Sequence, residues 1–205
     1  MPSRRSVVVR SMAPILALIS VSACLAAGTG DIEAQRVRLR LAEPPKDAAG
    51  VLAVQKQLVA AKRQAEAAPS QEVVVEGQIG GMPNVWPETH PDFPWYKGQA
   101  SFFLVDSKVA AQFATHAKKH GGNHSCSFCQ SLARKNASAI AVVNLMDDQG
   151  KTLRIDSREL LNLQENATVV VRGKAKLLGG RLLVIDADGI HVPRDERLPL
   201  SNSSN

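Results

Sequence analysis

Five side chains that can bind a transition metal lie within fourteen residues of this chain: His116, His120, His124, Cys126 and Cys129. They include three of its five histidines and two of its three cysteines. Imidazole nitrogen and thiolate sulfur suit zinc, and four such groups complete a tetrahedral structural site with no open position. The cluster therefore predicts a zinc site, with copper(I) as the alternative metal for a site that contains thiolates.

The spacing of these residues shows how one ion would be reached. His116 and His120 are four positions apart, so a helix over residues 108–119 places both imidazoles on one face. A Gly-Gly pair follows and allows the chain to reverse, and the Cys-x-x-Cys segment then brings two sulfurs close together. His124 is an alternate for His116, because the two side chains of an extended His-x-Cys segment point to one side. The predicted ligands are His116, His120, Cys126 and Cys129, with His124 as the alternate.

Two other interpretations of the cysteine pair stay open. A Cys126–Cys129 disulfide with solvated histidines is compatible with an oxidising compartment, and a redox-active pair would make the protein a thiol–disulfide oxidoreductase. Attachment of c-type haem requires histidine directly after the second cysteine, where this chain has Gln130. Neither a Gly-x-Ser-x-Gly motif nor a phosphate loop is present, so the sequence predicts no enzyme active site apart from the redox interpretation of the cysteine pair.

The first residues resemble a bacterial export leader. Three arginines precede a short apolar run over residues 12–23, which is too short to span a bilayer by itself. The run ends in the sequence Val-Ser-Ala-Cys, which resembles a lipobox with Cys24 as the lipid attachment site. The resemblance implies a signal peptide over residues 1–23 and a mature protein that lies outside the cytoplasm, anchored to a membrane. An ordinary secretory signal with an incidental Cys24 is the alternative.

Charge argues against a nucleic-acid partner. The whole chain has a formal charge of +6, but residues 24–205 carry 22 basic and 19 acidic side chains, a net charge of +3. A weak charge of this size is poor support for nucleic-acid binding. The expected partners are the membrane, through the lipid, and an unidentified protein or small molecule.

The pattern of apolar residues divides the chain into segments. A region rich in good helix formers precedes a series of short apolar runs that are typical of strands. The predicted organisation is a signal peptide at 1–23, a tether at 24–46, a helix at 47–68, a β-domain at 72–192 with a helical segment inserted at 107–135, and a flexible tail at 193–205.

The strand runs predict the fold class. They occupy residues 73–79, 100–106, 139–146, 168–177 and 182–192, with a further short run at 152–156. A helical turn falls between the third and fourth long runs, and a Gly-Gly turn joins the last two. This order resembles a five-stranded OB barrel, so the chain is predicted to be mainly β, with an inserted Cys/His helical hairpin and an N-terminal helix. It is similar to exported bacterial OB-fold lipoproteins of unknown function that carry a Cys/His-bearing insertion after the second strand.

Three functions are compatible with these patterns. The first is a membrane-tethered OB-fold binding module, without enzymatic activity, whose insertion is held by structural zinc. The second is an envelope protein that carries or senses zinc or copper, and the third is the thiol–disulfide oxidoreductase.

Overall fold

A computed structural model describes residues 29–64, 70–119 and 127–193 of the chain. The leader, Cys24, the tail beyond residue 193 and three of the five cluster residues lie outside these ranges, so the predictions made for them stay predictions. Among the described residues, no helix has the length and apolar character needed to cross a bilayer.

Five α-helices and six strands follow one another along the described chain. The helices are α1 (Thr29–Leu39), α2 (Val51–Lys62), α3 (Ser107–Lys119), α4 (Ser127–Lys135) and α5 (Ser157–Leu161). The strands are β1 (Ala49–Gly50), β2 (Gln71–Ile79), β3 (Ser101–Val105), β4 (Ile140–Leu145), β5 (Thr168–Leu178) and β6 (Leu182–His191).

Five of the strands close into a barrel. Antiparallel pairing joins β2 to β3, β3 to β4, and β6 to β5, whereas β4 and β6 run parallel. The barrel closes because β2 also pairs with β5 along residues 71–78, and the two-residue β1 adds a parallel edge to β2. With α5 between β4 and β5, this arrangement confirms the predicted mainly β, OB-like barrel.

Alternating side chains of the strands fill the barrel interior. Apolar residues such as Phe102, Leu104, Val143 and Ile185 are fully buried there, as the period of two along a strand requires. Because aromatics are only 4% of the chain, Val, Leu, Ile and Ala supply most of this core. Glycine at position 77 of β2 allows a close approach to β3, since a Cβ at this position would lie 2.6 Å from Leu104 Cγ and 2.8 Å from the Val105 carbonyl oxygen.

The predicted tether at 24–46 is wrong for the part that the structure describes. Residues 29–39 form α1, and Leu39 at its end is fully buried in the barrel core. Arg36 and Arg40 donate hydrogen bonds to the carbonyl oxygens of Leu160 and Leu161, which are free acceptors at the end of α5. The mixed composition of residues 29–39 did not indicate a helix, because this short helix depends on tertiary contacts.

The helix predicted at 47–68 is shorter than expected. It begins at Val51 and ends at Lys62, because Ala49 and Gly50 pair with β2 as β1 instead. The apolar stripe was identified correctly, since Val51, Val54 and Leu58 are buried.

Aspartate side chains cap the starts of two helices. Ser107 and Ser157 are the first residues of α3 and α5, and the side chains of the preceding residues, Asp106 and Asp156, accept the backbone N–H groups at those helix starts. A carboxylate accepts more strongly than a hydroxyl and suits the positive end of the helix. Ser157 is fully buried, and its Oγ has no hydrogen-bond partner among the described residues.

The strand predicted at 152–156 is also absent. Only Thr152 makes a β-bridge, to Met146, and the segment then turns into the Asp156 cap of α5. Asp147 causes this early departure from the sheet because its side chain accepts the N–H groups of Gln149 and Lys151 and forms a tight turn.

Asp106 caps two helices at once, which predicts a strong effect of its removal. It is 5% exposed, and its carboxylate accepts N–H groups from Lys108 in α3 (3.2 Å) and Leu52 in α2 (3.1 Å). Since one lost cap costs roughly 1 kcal/mol, we expect Asp106→Ala to lower the free energy of unfolding by about 2–3 kcal/mol in urea titrations. The exposed turn residue Asp148 provides the control, and Asp148→Ala should change stability by less than about 0.5 kcal/mol. Equal stability of the two variants would contradict the double cap.

Candidate functional site

A second hydrophobic cluster covers the outer face of β3 and β4. Phe103, Val105, Ile140 and Val142 point away from the barrel interior, yet each is at least 93% buried. Three elements cover them, namely the proline-rich loop over residues 80–98, α3 and α4. OB folds that bind oligonucleotides or saccharides use this face, so here a ligand has to contact the covering elements instead.

Aromatic rings of the proline-rich loop surround Phe103. Trp86, Phe93 and Tyr96 lie with ring centroids 5.0–5.6 Å from it and ring planes tilted by about 30°. The His90 ring packs edge-on against Phe103 at 5.2 Å and against Tyr96 at 5.1 Å. Burial raises the pKa of the Tyr96 hydroxyl above its ordinary value.

A row of polar side chains crosses four strands beside this aromatic cluster. Ser101 Oγ lies 2.9 Å from Asn144 Oδ1, and Asn144 Nδ2 donates to Asp186 Oδ1 at 3.1 Å. Lys176 then pairs with Asp186. Ser101 is fully buried, so the row satisfies polar groups at the edge of the covered face. The sequence did not predict this row of polar side chains, because only the register of the paired strands brings the four residues side by side.

The inserted helices bring two of the predicted metal ligands together. His116 lies in the last turn of α3, half-buried, and Cys129 is 2% exposed in α4. His116 Nδ1 and Cys129 Sγ are 3.5 Å apart. Bond lengths of about 2.0–2.1 Å for Zn–N and 2.3 Å for Zn–S place two tetrahedral ligands about 3.5 Å from each other. The separation of the pair is thus compatible with one shared zinc ion, and it is also the distance of a direct hydrogen bond between the thiol and the imidazole.

Packing against the second cluster fixes these two side chains. Val109, Ala110 and Phe113 bury one side of α3, which leaves His116 at the border between the buried and exposed sides of the helix. Ala133, one turn after Cys129, anchors α4 in the same cluster. The Phe128 ring stacks on His116 with centroids 5.2 Å apart.

The other predicted ligands are not placed by the structure. His120, His124 and Cys126 lie outside the described residues, and so does any bond between Cys126 and Cys129. Within residues 29–64, 70–119 and 127–193, no group of three or more metal-binding side chains occurs. The four-ligand site therefore stays a prediction, of which the structure contributes the contact between His116 and Cys129.

Two further titratable residues belong to the ends of the barrel. His191 is half-buried, as predicted, and its Nδ1 lies 3.2 Å from the Leu41 carbonyl oxygen. Because a carbonyl only accepts, this contact requires the proton on Nδ1. The Arg158 guanidinium, hydrogen-bonded to Asp156 and stacked over Trp95, lowers the pKa of the Asp156 carboxyl below its ordinary value.

No protein-family model, curated protein or solved structure matches the chain. The class of the protein is therefore given by its strand topology, an OB-like barrel with a helical insertion after the second barrel strand.

Proposed function

We propose that this protein is a membrane-tethered, exported OB-fold binding module, without enzymatic activity, whose insertion is held by a structural zinc ion. The observation that carries the metal assignment is the 3.5 Å separation of His116 Nδ1 and Cys129 Sγ on two different helices. His120 and Cys126, or His124 in place of one histidine, would complete the tetrahedron. The lipobox-like sequence before Cys24 supports the tether.

The position of the insertion supports a structural role for the metal. One face of α3 and one face of α4 are buried against β3 and β4. A zinc ion held by His116 and Cys129 would join the last turn of α3 to the first turn of α4. Ligand deprotonation accompanies zinc binding, so acid or a chelator should loosen the insertion before the barrel unfolds.

Metal analysis of the purified mature protein tests the zinc site. We expect about one zinc per chain by elemental mass spectrometry in the native protein, and less than about 0.1 in Cys129→Ser and His116→Ala, because a site that loses one of four ligands binds far more weakly. Cys24→Ser and His191→Gln are matched controls, since each removes a cysteine or a histidine outside the cluster and should keep the metal. Full metal loss in His120→Ala but not in His124→Ala would identify the fourth ligand.

A native protein without metal and with a Cys126–Cys129 disulfide would contradict the zinc site. Thiol titration under denaturing conditions measures this outcome directly. The same preparation tests the tether, because acylation at Cys24 raises the mass of the N-terminal peptide and disappears in Cys24→Ser.

An envelope metal handler is the second candidate, and the surroundings of His116 favour it. This imidazole lines an open groove along α3, together with Lys108, Gln112 and Lys119. A handler would release zinc to a mild competitor within minutes in the folded state, whereas a structural site would release it only when the insertion unfolds. The rate of zinc transfer to a colorimetric chelator separates the two.

A further inference from the structure

The charge of the mature chain is concentrated in the insertion. Residues 107–135 carry five basic side chains and no acidic one. The other residues between 24 and 205 carry 17 basic and 19 acidic side chains, a net charge of −2. The entire positive excess of the mature chain therefore belongs to two short helices and the segment between them.

All five cations of the insertion point into solvent. They are Lys108, Lys118, Lys119, Arg134 and Lys135. None forms an ion pair with a carboxylate in the part of the chain that the structure describes, although Lys174, Lys176, Arg158 and Arg172 elsewhere do. An unpaired basic surface attracts polyanions, and salt screens that attraction.

An exposed apolar side chain packs on His116, which lines one groove together with Lys108 and Lys119. Phe128 is 60% exposed and rests on the His116 ring at the start of α4. The solvent side of α3 carries the small side chains Ala111 and Ala114, so a broad surface can approach the helix closely. A large exposed aromatic among lysines fits an interface that is anionic at its edge and apolar a few ångströms deeper.

We propose that the insertion docks onto the anionic headgroups of a lipid bilayer, with Phe128 entering the interfacial layer. This inference rests on the proposed tether for the identity of the bilayer. The first residue of α1 is five positions after Cys24, a span of at most about 18 Å. A lipid on Cys24 would thus hold the domain beside headgroups at high effective concentration, and the basic insertion would fix its orientation on them.

Vesicle binding of an unlipidated chain tests this surface independently of the tether. The protein is residues 24–205 with Cys24→Ser, which keeps both hydrophobic clusters and carries neither leader nor lipid. We expect it to sediment with vesicles of phosphatidylcholine containing about 30% phosphatidylglycerol, and not with phosphatidylcholine alone. Lys118→Gln/Lys119→Gln should weaken binding about 10- to 30-fold, since each lysine near an anionic surface contributes about 1 kcal/mol. Phe128→Ser should weaken it about 10-fold.

The control variant also removes two positive charges, but at a surface outside the insertion. Lys62 and Arg63 form an exposed basic pair at the end of α2, and Lys62→Gln/Arg63→Gln should bind as the parent does. Equal weakening by both double variants would overturn the proposal, because net charge alone would then account for binding. Binding to heparin or duplex DNA that matches vesicle binding and is insensitive to Phe128→Ser would also overturn it. Failure of acylation at Cys24 would remove the tether alone and leave the vesicle result standing.

Discussion

Replacing Gly173 with alanine is expected to lower the free energy of unfolding by about 3 kcal/mol or more. Gly173 lies in β5, where the register against β6 shifts between Arg172 and Gly173. A Cβ here would lie 2.3 Å from the Asp186 carbonyl oxygen and 2.7 Å from the Ala187 Cα. Both neighbours are backbone atoms, so a side-chain rotation cannot relieve the overlap and β6 has to move. Urea titration of Gly173→Ala against the parent measures the loss.

Gly98→Ala is the control that separates overlap from backbone strain. Gly98 has a φ of +73° and no atom within 4 Å of an added Cβ. The substitution should cost only the strain of a left-handed alanine, about 1–2 kcal/mol. A Gly173→Ala variant as stable as Gly98→Ala would contradict the close approach of β6 at the closing hairpin.

Phe103→Ala should be the most damaging substitution in the second hydrophobic cluster, with a loss of about 3–5 kcal/mol. Phe103 is 1% exposed and contacts the rings of Trp86, His90 and Tyr96. Removing its ring leaves a cavity between β3 and the proline-rich loop, so the loop should loosen first. Denaturant titrations followed by Trp fluorescence measure the total loss of unfolding free energy. Hydrogen exchange over residues 80–98 measures the loosening of the loop.

Tyr96→Phe provides the matched control for this cluster. It keeps the ring that stacks on Phe103 at 5.0 Å and removes only a hydroxyl. We expect a change of less than about 1 kcal/mol. If Phe103→Ala costs no more than this control, the loop is not held by the aromatic cluster.

Local patterns in the sequence predicted the barrel and much of the insertion. The runs that became β3, β4, β5 and β6 end within one or two residues of the expected positions, because short apolar runs bounded by turn-forming residues are a local signal. The helices at 107–119 and 127–135 were expected for the same reason. The contact between His116 and Cys129 followed from helical spacing and a chain reversal.

Features that depend on distant partners were not predictable in this way. Helix α1 has an unremarkable composition and is held by contacts to the end of α5 some 120 positions later in the chain. Asp106 caps α2 only because the barrel brings β3 to the start of that helix. The packing of His90 on Phe103 was not predictable either, because no local pattern indicates which strand a loop will cover.

The pairing of β2 with β5, which closes the barrel, also determines when the barrel can form. Val75 in β2 pairs with Val171 in β5, so the first barrel strand cannot form this pairing until residues almost at the end of the domain have been synthesised. Pairing between residues so far apart in sequence makes folding slow, because loop closure precedes the stabilising contacts. A nascent chain of this topology cannot complete its barrel until its last hairpin has left the ribosome.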